Sequence, residues 1–183
     1  MKLNIHLISH PLTQNLSSIS SNISPQYSIL NQYLKYLGLF IIYETIRTWT
    51  VTYKLKIRTN QKKKDFLIID PKESYTIIFN NLDYISMLQE IQFILPRIDL
   101  KLVKQENKEQ LNLSYNTHHK ILIVNHKIDV TYVKDLIENL KYTYNINLNQ
   151  IRLACIECAT TQLIKLSEKY SDLTIYTTKI IDT

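Results

Sequence analysis

The fold is decided by residues 121–133, which read Ile-Leu-Ile-Val-Asn-His-Lys-Ile-Asp-Val-Thr-Tyr-Val. Its first four residues are apolar and mostly β-branched, which is typical of a strand that is buried on both faces. A short polar stretch follows, and then Val133, Leu136 and Leu140 recur at helical spacing. Strand, turn and amphipathic helix form half of a βαβ unit. The stretch therefore predicts an α/β fold built on a parallel sheet.

The alternation of strand and helix continues on both sides of this stretch. Short strands are predicted at residues 66–69, 75–79, 98–103, 151–156 and 173–176. Helices are predicted from Pro25 through Ile41, from Asp83 as an N-cap to Leu95, and at residues 160–169. Residues 49–57 alternate as a half-solvated strand, and residues 61–65 are predicted to form an exposed turn. The polar run of residues 17–22 is expected to be a loop or arm.

The length of 183 residues predicts a single domain. Residues 1–47 form its N-terminal arm and helix. Residues 104–119 follow neither the helical nor the strand period and form a long loop or flap.

No segment approaches the ~18 apolar residues of a membrane span. Two cysteines are too few for a disulfide framework. The N-terminus lacks the pattern of a signal or transit peptide, so the protein is expected to be made where it works, or to have lost a targeting piece.

The sequence contains a single glycine, Gly38. Walker A loops, dinucleotide-binding turns and glycine-rich oxyanion elbows each need at least two glycines close together, so these chemistries are excluded. Gly38 itself lies inside a helical run, where the missing side chain allows another element to approach.

The scarcity of glycine and the abundance of Ile, Lys, Asn and Tyr follow codons rich in A and T, which indicates an AT-rich genome.

The net charge of +6 is carried mainly by lysine. Because codon bias alone enriches lysine, a solvated basic surface is the simplest interpretation, and a surface for RNA or another polyanion is the alternative. The triple lysine at residues 62–64 is expected to be part of an exposed turn. The densest basic cluster flanks the predicted flap and comprises Lys101, Lys104, Lys108, His118, His119 and Lys120.

Ligands of an open parallel sheet bind at the carboxyl ends of its strands, so the turns at residues 80–83, 125–131 and 157–161 are the candidate sites. In the second turn, Asp129 is expected to cap a helix or, with Thr131, to hold a weak anion contact. His118, His119 and His126 are expected to be solvated loop residues, since no carboxylate or cysteine stands at metal-ligand spacing beside them. In the Cys-x-x-Cys of residues 155–158, Cys155 is expected to be buried and inert; redox chemistry and half of a zinc site are the alternatives.

Five stretches occur together in the order and spacing of one enzyme family. They are His10-Pro11-Leu12, Tyr43-Glu44-Thr45 at the end of a long helix, residues 49–57, residues 125–133 and Tyr176-Thr177. The corresponding motifs are His-Pro-Leu, Tyr-Glu-Ala, an alternating strand, Asp-Pro-Met-Leu-Ala-Thr-Gly-Gly-Ser and Tyr-Thr. The sequence resembles uracil phosphoribosyltransferase over most of its length. The resemblance implies a type I phosphoribosyltransferase-like parallel sheet flanked by helices, with an N-terminal helical arm and a flap.

The resemblance implies an enzyme that transfers phosphoribose from phosphoribosyl pyrophosphate to uracil, yet its functional positions differ here. Asn125 stands in place of the aspartate that would hold the ribose hydroxyls. Thr131 and Tyr132 replace the paired glycines that bring backbone amides to the 5′-phosphate. Leu82-Asp83-Tyr84 replaces the arginine and Ala-Gly of the pyrophosphate loop. The sequence given also ends before the family's glycine-rich uracil-binding segment.

We therefore expect a catalytically inactive homologue, with no catalytic residue, no metal ligand and no cofactor; Mg²⁺ is expected only if the chain is active. Asn125, Asp129 and Thr131 form the vestigial substrate-binding turn. The family implies a homodimer, and the helix that carries Gly38 is expected to serve the contact. A regulatory module that binds nucleotide or RNA through the basic flap, and a structural subunit of an active enzyme, are the alternatives. Resemblance to homologues encoded in algal plastids, together with the AT-biased composition, predicts the plastid stroma.

Overall fold

A computed structural model describes residues 3–22, 27–58, 62–95, 97–104, 111, 113 and 119–182. Most of the flap predicted at residues 104–119, together with Pro25, lies outside these residues. The strands are β1 (Asn4–Leu7), β2 (Thr52–Arg58), β3 (Lys63–Ile69), β4 (Ser74–Phe79), β5 (Ile98–Leu102), β6 (His119–Lys127), β7 (Ile151–Ala159) and β8 (Thr174–Ile181). The helices are α1 (Pro11–Asn22), α2 (Tyr27–Arg47), α3 (Ile85–Leu88), α4 (Ile91–Ile94), α5 (Val130–Tyr142) and α6 (Thr160–Ser167).

Six strands form one sheet in the order β1-β8-β7-β6-β4-β5, and every pair of neighbours is parallel. The predicted α/β class with a parallel sheet is therefore confirmed. The stretch that decides the fold lies at its centre, because β6 pairs with both β4 and β7. Strands β2 and β3 pair only with each other among the described residues and form an antiparallel hairpin outside the main sheet.

The sheet separates two layers of helices, and alternate side chains of each central strand enter opposite layers. Ile121 and Ile123 of β6 pack with Val133 and Leu136 of α5 on one face. On the other face, Leu122 and Val124 pack in a cluster to which α2, α3 and α4 contribute Leu37, Ile41, Ile42, Met87, Leu88 and Ile91. A strand buried on both faces is continuously apolar, which explains the Ile-Leu-Ile-Val run.

The N-terminal region is more regular than its sequence indicates. Residues 17–22 are not a loop: Ser17, Ser18 and Ser20 lie in α1, where each hydroxyl donates to a carbonyl three residues earlier. These bonds let serine occupy a helix interior although it favours caps and turns. Strand β1, which the pattern did not predict, lies exposed at the edge of the sheet beside β8.

The hairpin of β2 and β3 corrects two further predictions. The alternation of residues 49–57 does not mark a half-solvated strand, because all side chains of β2 are exposed and Trp49 precedes the strand in a turn. Residues 63–65 are not in a turn either, since β3 begins at Lys63. Tyr53, Leu55, Ile57, Phe66 and Ile68 form one apolar face of the hairpin, each between 36% and 52% exposed.

Gly38 allows α2 to approach α3 within the chain. A Cβ atom at position 38 would lie 2.6 Å from Cα of Met87, closer than side-chain atoms can pack. The missing side chain of Gly38 therefore serves a contact between α2 and α3, and the expectation that α2 contributes to a subunit contact stays a prediction.

The predicted helix of residues 83–95 is broken into short pieces. A 3₁₀ turn at Leu82–Tyr84 is followed by α3 and α4, and the cap is Asn81, which accepts a hydrogen bond from the Asp83 amide. Asp83 is therefore not the N-cap. Within the described part of the chain, every helix is too short or too polar to span a bilayer.

Candidate functional site

The carboxyl ends of β4, β6 and β7 meet at one edge of the sheet, because the three strands are parallel neighbours. Phe79 of β4 pairs with Val124 of β6, and Asn125 pairs with Cys155 of β7. The strand ends that lead to the three candidate sites therefore lie side by side, as the rule for open α/β sheets requires. This region is called the carboxyl edge below. Residues 157–161 form no turn, however, because β7 runs to Ala159 and α6 begins at Thr160.

The turn after β6 is much shorter than expected. Strand β6 continues through Asn125 and His126 to Lys127, and α5 begins at Val130, so only Ile128 and Asp129 lie between them. Ile128 is buried in the core next to α5. A loop that wraps a phosphate needs several residues with free backbone amides. Two residues, one of them anchored in the core, leave no such loop.

Asp129 caps α5 with its own carboxylate. Its Oδ1 accepts hydrogen bonds from the backbone amides of Thr131, at 2.9 Å, and Tyr132, at 3.2 Å. These are two of the amides at the start of the helix that have no partner within the helix. A bound phosphate would use the same amides and the same positive end of the helix dipole. The chain therefore places an internal anion where an external one would bind.

Tyr132 fills the adjacent space. Its side chain is 2% exposed, and its hydroxyl donates to the carbonyl oxygen of Val103, just beyond β5, at 2.9 Å. Burial raises the pKa of Tyr132, so the ring stays neutral and belongs to the core. A glycine at this position would leave that volume open to a ligand.

Asn125 is fully buried, and neither its Oδ1 nor its Nδ2 has a hydrogen-bond partner among the described residues. By the register of β4 and β6, Asn80 follows in the same row and on the same face, and its Oδ1 is also unpaired there. Each buried unpaired polar group costs about 1–3 kcal/mol. The two amides are therefore the part of the carboxyl edge with unmet hydrogen-bonding capacity.

A row of charges that sequence reasoning missed crosses the ends of three strands. Glu157 of β7, with its side chain 4% exposed, lies 3.3 Å from Nζ of Lys127 on β6 and 3.7 Å from Nζ of Lys179 on β8. The pairing register brings them together, since Lys127 and Lys179 both pair with Glu157. Nothing in the local sequence marks this row, because its members come from three separate segments.

The turn after β4 carries negative charge. Asn81 donates from Nδ2 to Oδ2 of Asp83 at 2.9 Å, and Leu82 is exposed at the tip of the turn. Tyr84 then stacks on His126 with 6.1 Å between ring centroids. Burial lowers the pKa of His126, and the nearby Glu157 opposes that shift. Among the described residues, this turn offers a carboxylate and a neutral ring to an anionic ligand.

The predictions for the other histidines and the basic cluster are largely wrong. His119 is buried in β6, where its Nδ1 lies 2.7 Å from Ser74 Oγ and its Nε2 lies 2.8 Å from Thr76 Oγ1. Lys120 is bound by Glu73 and by the carbonyl of Trp49, and Lys101 pairs with Asp99 at 3.0 Å. His126 is half-buried in a strand. His118 and Lys108 lie outside the described residues, so the described part of the cluster is no continuous basic surface.

Cys155 and Cys158 are both buried, free thiols. Burial raises the pKa of the Cys155 thiol, while the hydrogen bond from Cys155 lowers the pKa of Cys158. Cys155 packs with the apolar core as expected. No group of three or more His, Cys, Asp or Glu side chains in the described ranges is arranged to hold a metal ion.

Comparisons with known proteins show the family to which the chain belongs. No family model matches the chain. Over 181 residues, however, it is 32% identical to the protein named uracil phosphoribosyltransferase homolog of Porphyra purpurea, covering 98% of this chain and 89% of that protein. The chain belongs to the uracil phosphoribosyltransferase family.

Two further relatives agree. A uracil phosphoribosyltransferase homolog of Pyropia yezoensis is 30% identical, and a uracil phosphoribosyltransferase of Synechocystis is 25% identical; each match covers 98% of this chain and 89% and 88% of the relative, respectively. The structure of the AQ2163 protein from Aquifex aeolicus is similar in fold, with a TM-score of 0.72 at 19% identity over 97% of this chain and 88% of that one. The phosphoribosyltransferase-like fold is therefore confirmed.

Proposed function

We propose that this chain is a uracil phosphoribosyltransferase homologue that does not catalyse the family reaction. That reaction moves phosphoribose from phosphoribosyl pyrophosphate to uracil, giving uridine monophosphate and pyrophosphate. The observation that carries the proposal is the cap of α5: the carboxylate of Asp129 binds the amides of Thr131 and Tyr132. Placing a phosphate there would bring it against a carboxylate and the buried ring of Tyr132.

The charges of the carboxyl edge support the same conclusion. Asp83 lies near the place where the family has an arginine for pyrophosphate, and Glu157 neutralises one of the two positive charges of Lys127 and Lys179. Loss of one electrostatic donor costs about 3 kcal/mol in a transition state, and several losses together leave no useful rate. Mg²⁺ needs several oxygen ligands in octahedral geometry. Asp83, Asp129 and Glu157 each already accept a hydrogen bond or an ion pair from a protein group, with which a Mg²⁺ ion would have to compete.

An assay with radiolabelled uracil, phosphoribosyl pyrophosphate and Mg²⁺ tests the proposal. The Synechocystis uracil phosphoribosyltransferase, purified in the same way, provides the active control. We expect no uridine monophosphate above the level without enzyme. Turnover within about a hundredfold of the control would overturn the proposal, because the lost interactions together amount to more than that factor.

We further propose that the chain forms a homodimer through its hairpin. A two-stranded hairpin is marginally stable by itself in water. The five-residue apolar face of β2 and β3 is exposed in the single chain, so a second copy that covers it would supply the missing burial.

Residual nucleotide binding is a second candidate, favoured by the unpaired amides of Asn80 and Asn125. A thermal-shift scan with phosphoribosyl pyrophosphate, uracil, uridine monophosphate and uridine triphosphate tests it, because a ligand that binds the native state raises the melting temperature. A flat scan would leave the role of a structural subunit, for which co-purification with an active enzyme is the test.

RNA binding has less support, since Lys101 and Lys120 are held in ion pairs. A gel shift with a salt titration would show a steep slope if RNA were bound.

We propose the plastid stroma as the location. Relatives in the red algae Porphyra purpurea and Pyropia yezoensis and in Synechocystis fit a gene of plastid ancestry, and the composition fits an AT-rich genome. Immunoblotting of purified plastid stroma tests this location, and a signal confined to the cytosol would contradict it.

A further inference from the structure

A cleft unrelated to the carboxyl edge runs along the α2 side of the molecule. One part is an apolar cavity of about 490 Å³ between α1, α2 and α4, lined by residues that include Leu39, Phe40, Tyr43, Ile46, Ile91 and Ile94. Cavities of this size with mostly apolar walls are typical of small-molecule sites. Tyr43 and Ile94 are 56% and 52% exposed, so the entrance is open in the single chain.

The second part of the cleft is polar and continuous with the first. It has a volume of about 540 Å³ and shares Ile8, His10 and Glu44 with the apolar part. Its walls are the edge strand β1, the end of α2 and the beginnings of β7 and β8. The complete cleft is therefore apolar at one end and polar at the other, and the three shared residues lie at the junction.

The polar part carries a small excess of positive charge. Arg47 and Arg152 line it together with a single carboxylate, Glu44, which accepts from Nε of Arg47 at 3.1 Å. Arg152 is held in position, because its guanidinium donates to the carbonyl of Thr45 and lies 4.4 Å from the ring centroid of Trp49. Two guanidinium groups against one carboxylate suit a ligand with a single negative charge.

We propose that this cleft binds an amphiphilic monoanion, a molecule with a carboxylate head group and an aliphatic chain. The head group would contact Arg47 and Arg152, and the chain would lie in the apolar part against Phe40 and Ile94. The assignment follows from charge and polarity. A fully polar ligand would leave the apolar wall in contact with water, and an uncharged ligand would leave the one positive charge in excess of Glu44 without a counter-charge. The site is independent of the proposed loss of phosphoribosyl transfer.

Titration of the full chain with dodecanoate, below its critical micelle concentration, tests the proposal by calorimetry and fluorescence. The single tryptophan of the sequence, Trp49, packs on Arg152 and so reports on the polar end of the cleft. We expect saturable binding of one dodecanoate with a change in Trp49 emission. Acetate, which lacks the chain, should not bind, and dodecyltrimethylammonium, which reverses the charge, should bind at least tenfold more weakly.

Two pairs of matched variants localise the site. Arg47→Gln is expected to weaken dodecanoate binding about tenfold, while Arg58→Gln, on the exposed hairpin, should not change it. Ile94→Asp is expected to weaken it about tenfold, while Phe93→Asp should not, although both residues lie on α4. Phe93 is 86% exposed and lies outside the cleft lining, and circular dichroism verifies that all four variants fold.

Several results would overturn the proposal. They are the absence of saturable binding, equal binding of the cationic and anionic amphiphiles, and equal effects within either matched pair. If a second copy of the chain covered the cleft, the dimer would not bind dodecanoate, and this result would also overturn the proposal.

Discussion

At the scale of single residues, Asp129 does the most to determine what the carboxyl edge can bind. A helix start offers unpaired amides to whichever anion is nearest, and Asp129 is covalently held beside them. A dissolved phosphate has to displace this carboxylate and lose its own freedom of motion, whereas the carboxylate is already in place. The cap therefore stabilises the fold and lowers phosphate affinity through the same two hydrogen bonds.

Replacement of the cap tests its contribution to stability. Asp129→Ala is expected to lower the free energy of unfolding by about 1 kcal/mol, which lowers the melting temperature by roughly 2–4 °C in a chain of this size. Asp172→Ala, in an exposed turn before β8, serves as the control. Equal melting temperatures for the two variants would show that the cap is not important for stability.

Asn125 is expected to be a destabilising residue. Asn125→Leu has a similar shape but no unpaired amide, so it should raise the free energy of unfolding by about 1–3 kcal/mol. The same change at Asn4, which is exposed on β1, should have little effect. Urea denaturation measures both, and a loss of stability in Asn125→Leu would indicate that the amide has partners in solution.

His119 is expected to make stability depend on pH. Burial lowers its pKa below the ordinary value of 6.5, so between the two pKa values the unfolded chain binds more protons than the folded chain. Stability should therefore fall as the pH drops below about 7 and level off only below the folded pKa.

Urea denaturation at several pH values measures this slope. His119→Gln should reduce it, as should His126→Gln, since burial also lowers the pKa of His126. His6→Gln, at an exposed position of β1, is the control. A wild-type stability that rises on acidification would contradict the expected sign.

At the scale of elements, local pattern predicted some boundaries and long-range pairing set others. The core of β6 and the cap of α5 were predictable, because the apolar run and Asp129 carry their signals within a few residues. The extension of β6 through Asn125 and Lys127 was not. These polar residues stay in the strand because β7 continues beside them, with Glu157 to neutralise Lys127. Pairing of this kind overrides local propensity.

The contact between α2 and α3 gives a test at this scale. Gly38→Ala improves helix propensity by about 1 kcal/mol but drives a Cβ atom into Met87. We expect the steric term to be larger, with a net loss of about 1–3 kcal/mol and a melting temperature lower by roughly 3–10 °C. Gln32→Ala on the exposed side of α2 is the control. A higher melting temperature for Gly38→Ala would show that the two helices separate without cost.

At the scale of the whole molecule, the fold and family could be predicted from the sequence. The way in which the chain's own side chains fill the carboxyl edge could not. Thr131 and Tyr132 indicated that glycine was absent from the turn. Only the structure shows that the ring of Tyr132 reaches Val103 and that the strand lengthens at the expense of the loop. Both depend on contacts between segments far apart in the chain.

The hairpin provides the whole-molecule prediction. Phe66→Lys places a charge on its apolar face, opposite Leu55, and is expected to convert the proposed dimer to a monomer in sedimentation velocity. Leu67→Lys introduces the same charge on the other face of the same strand, where the side chain is 68% exposed, and should leave the dimer intact. A monomeric wild-type chain, or dissociation by Leu67→Lys alone, would contradict the proposed contact.

The pairing of β1 with β8 has a consequence for synthesis. Asn4 is held beside Thr174, so the first strand of the sheet has no partner until residues 174–177 have been translated. At about 5–20 residues per second, it waits roughly 10–35 s after its own translation. During that interval the backbone groups of β1 lack their partners in β8. The strand that is made first is therefore among the last to join the sheet, because it has to wait for β8.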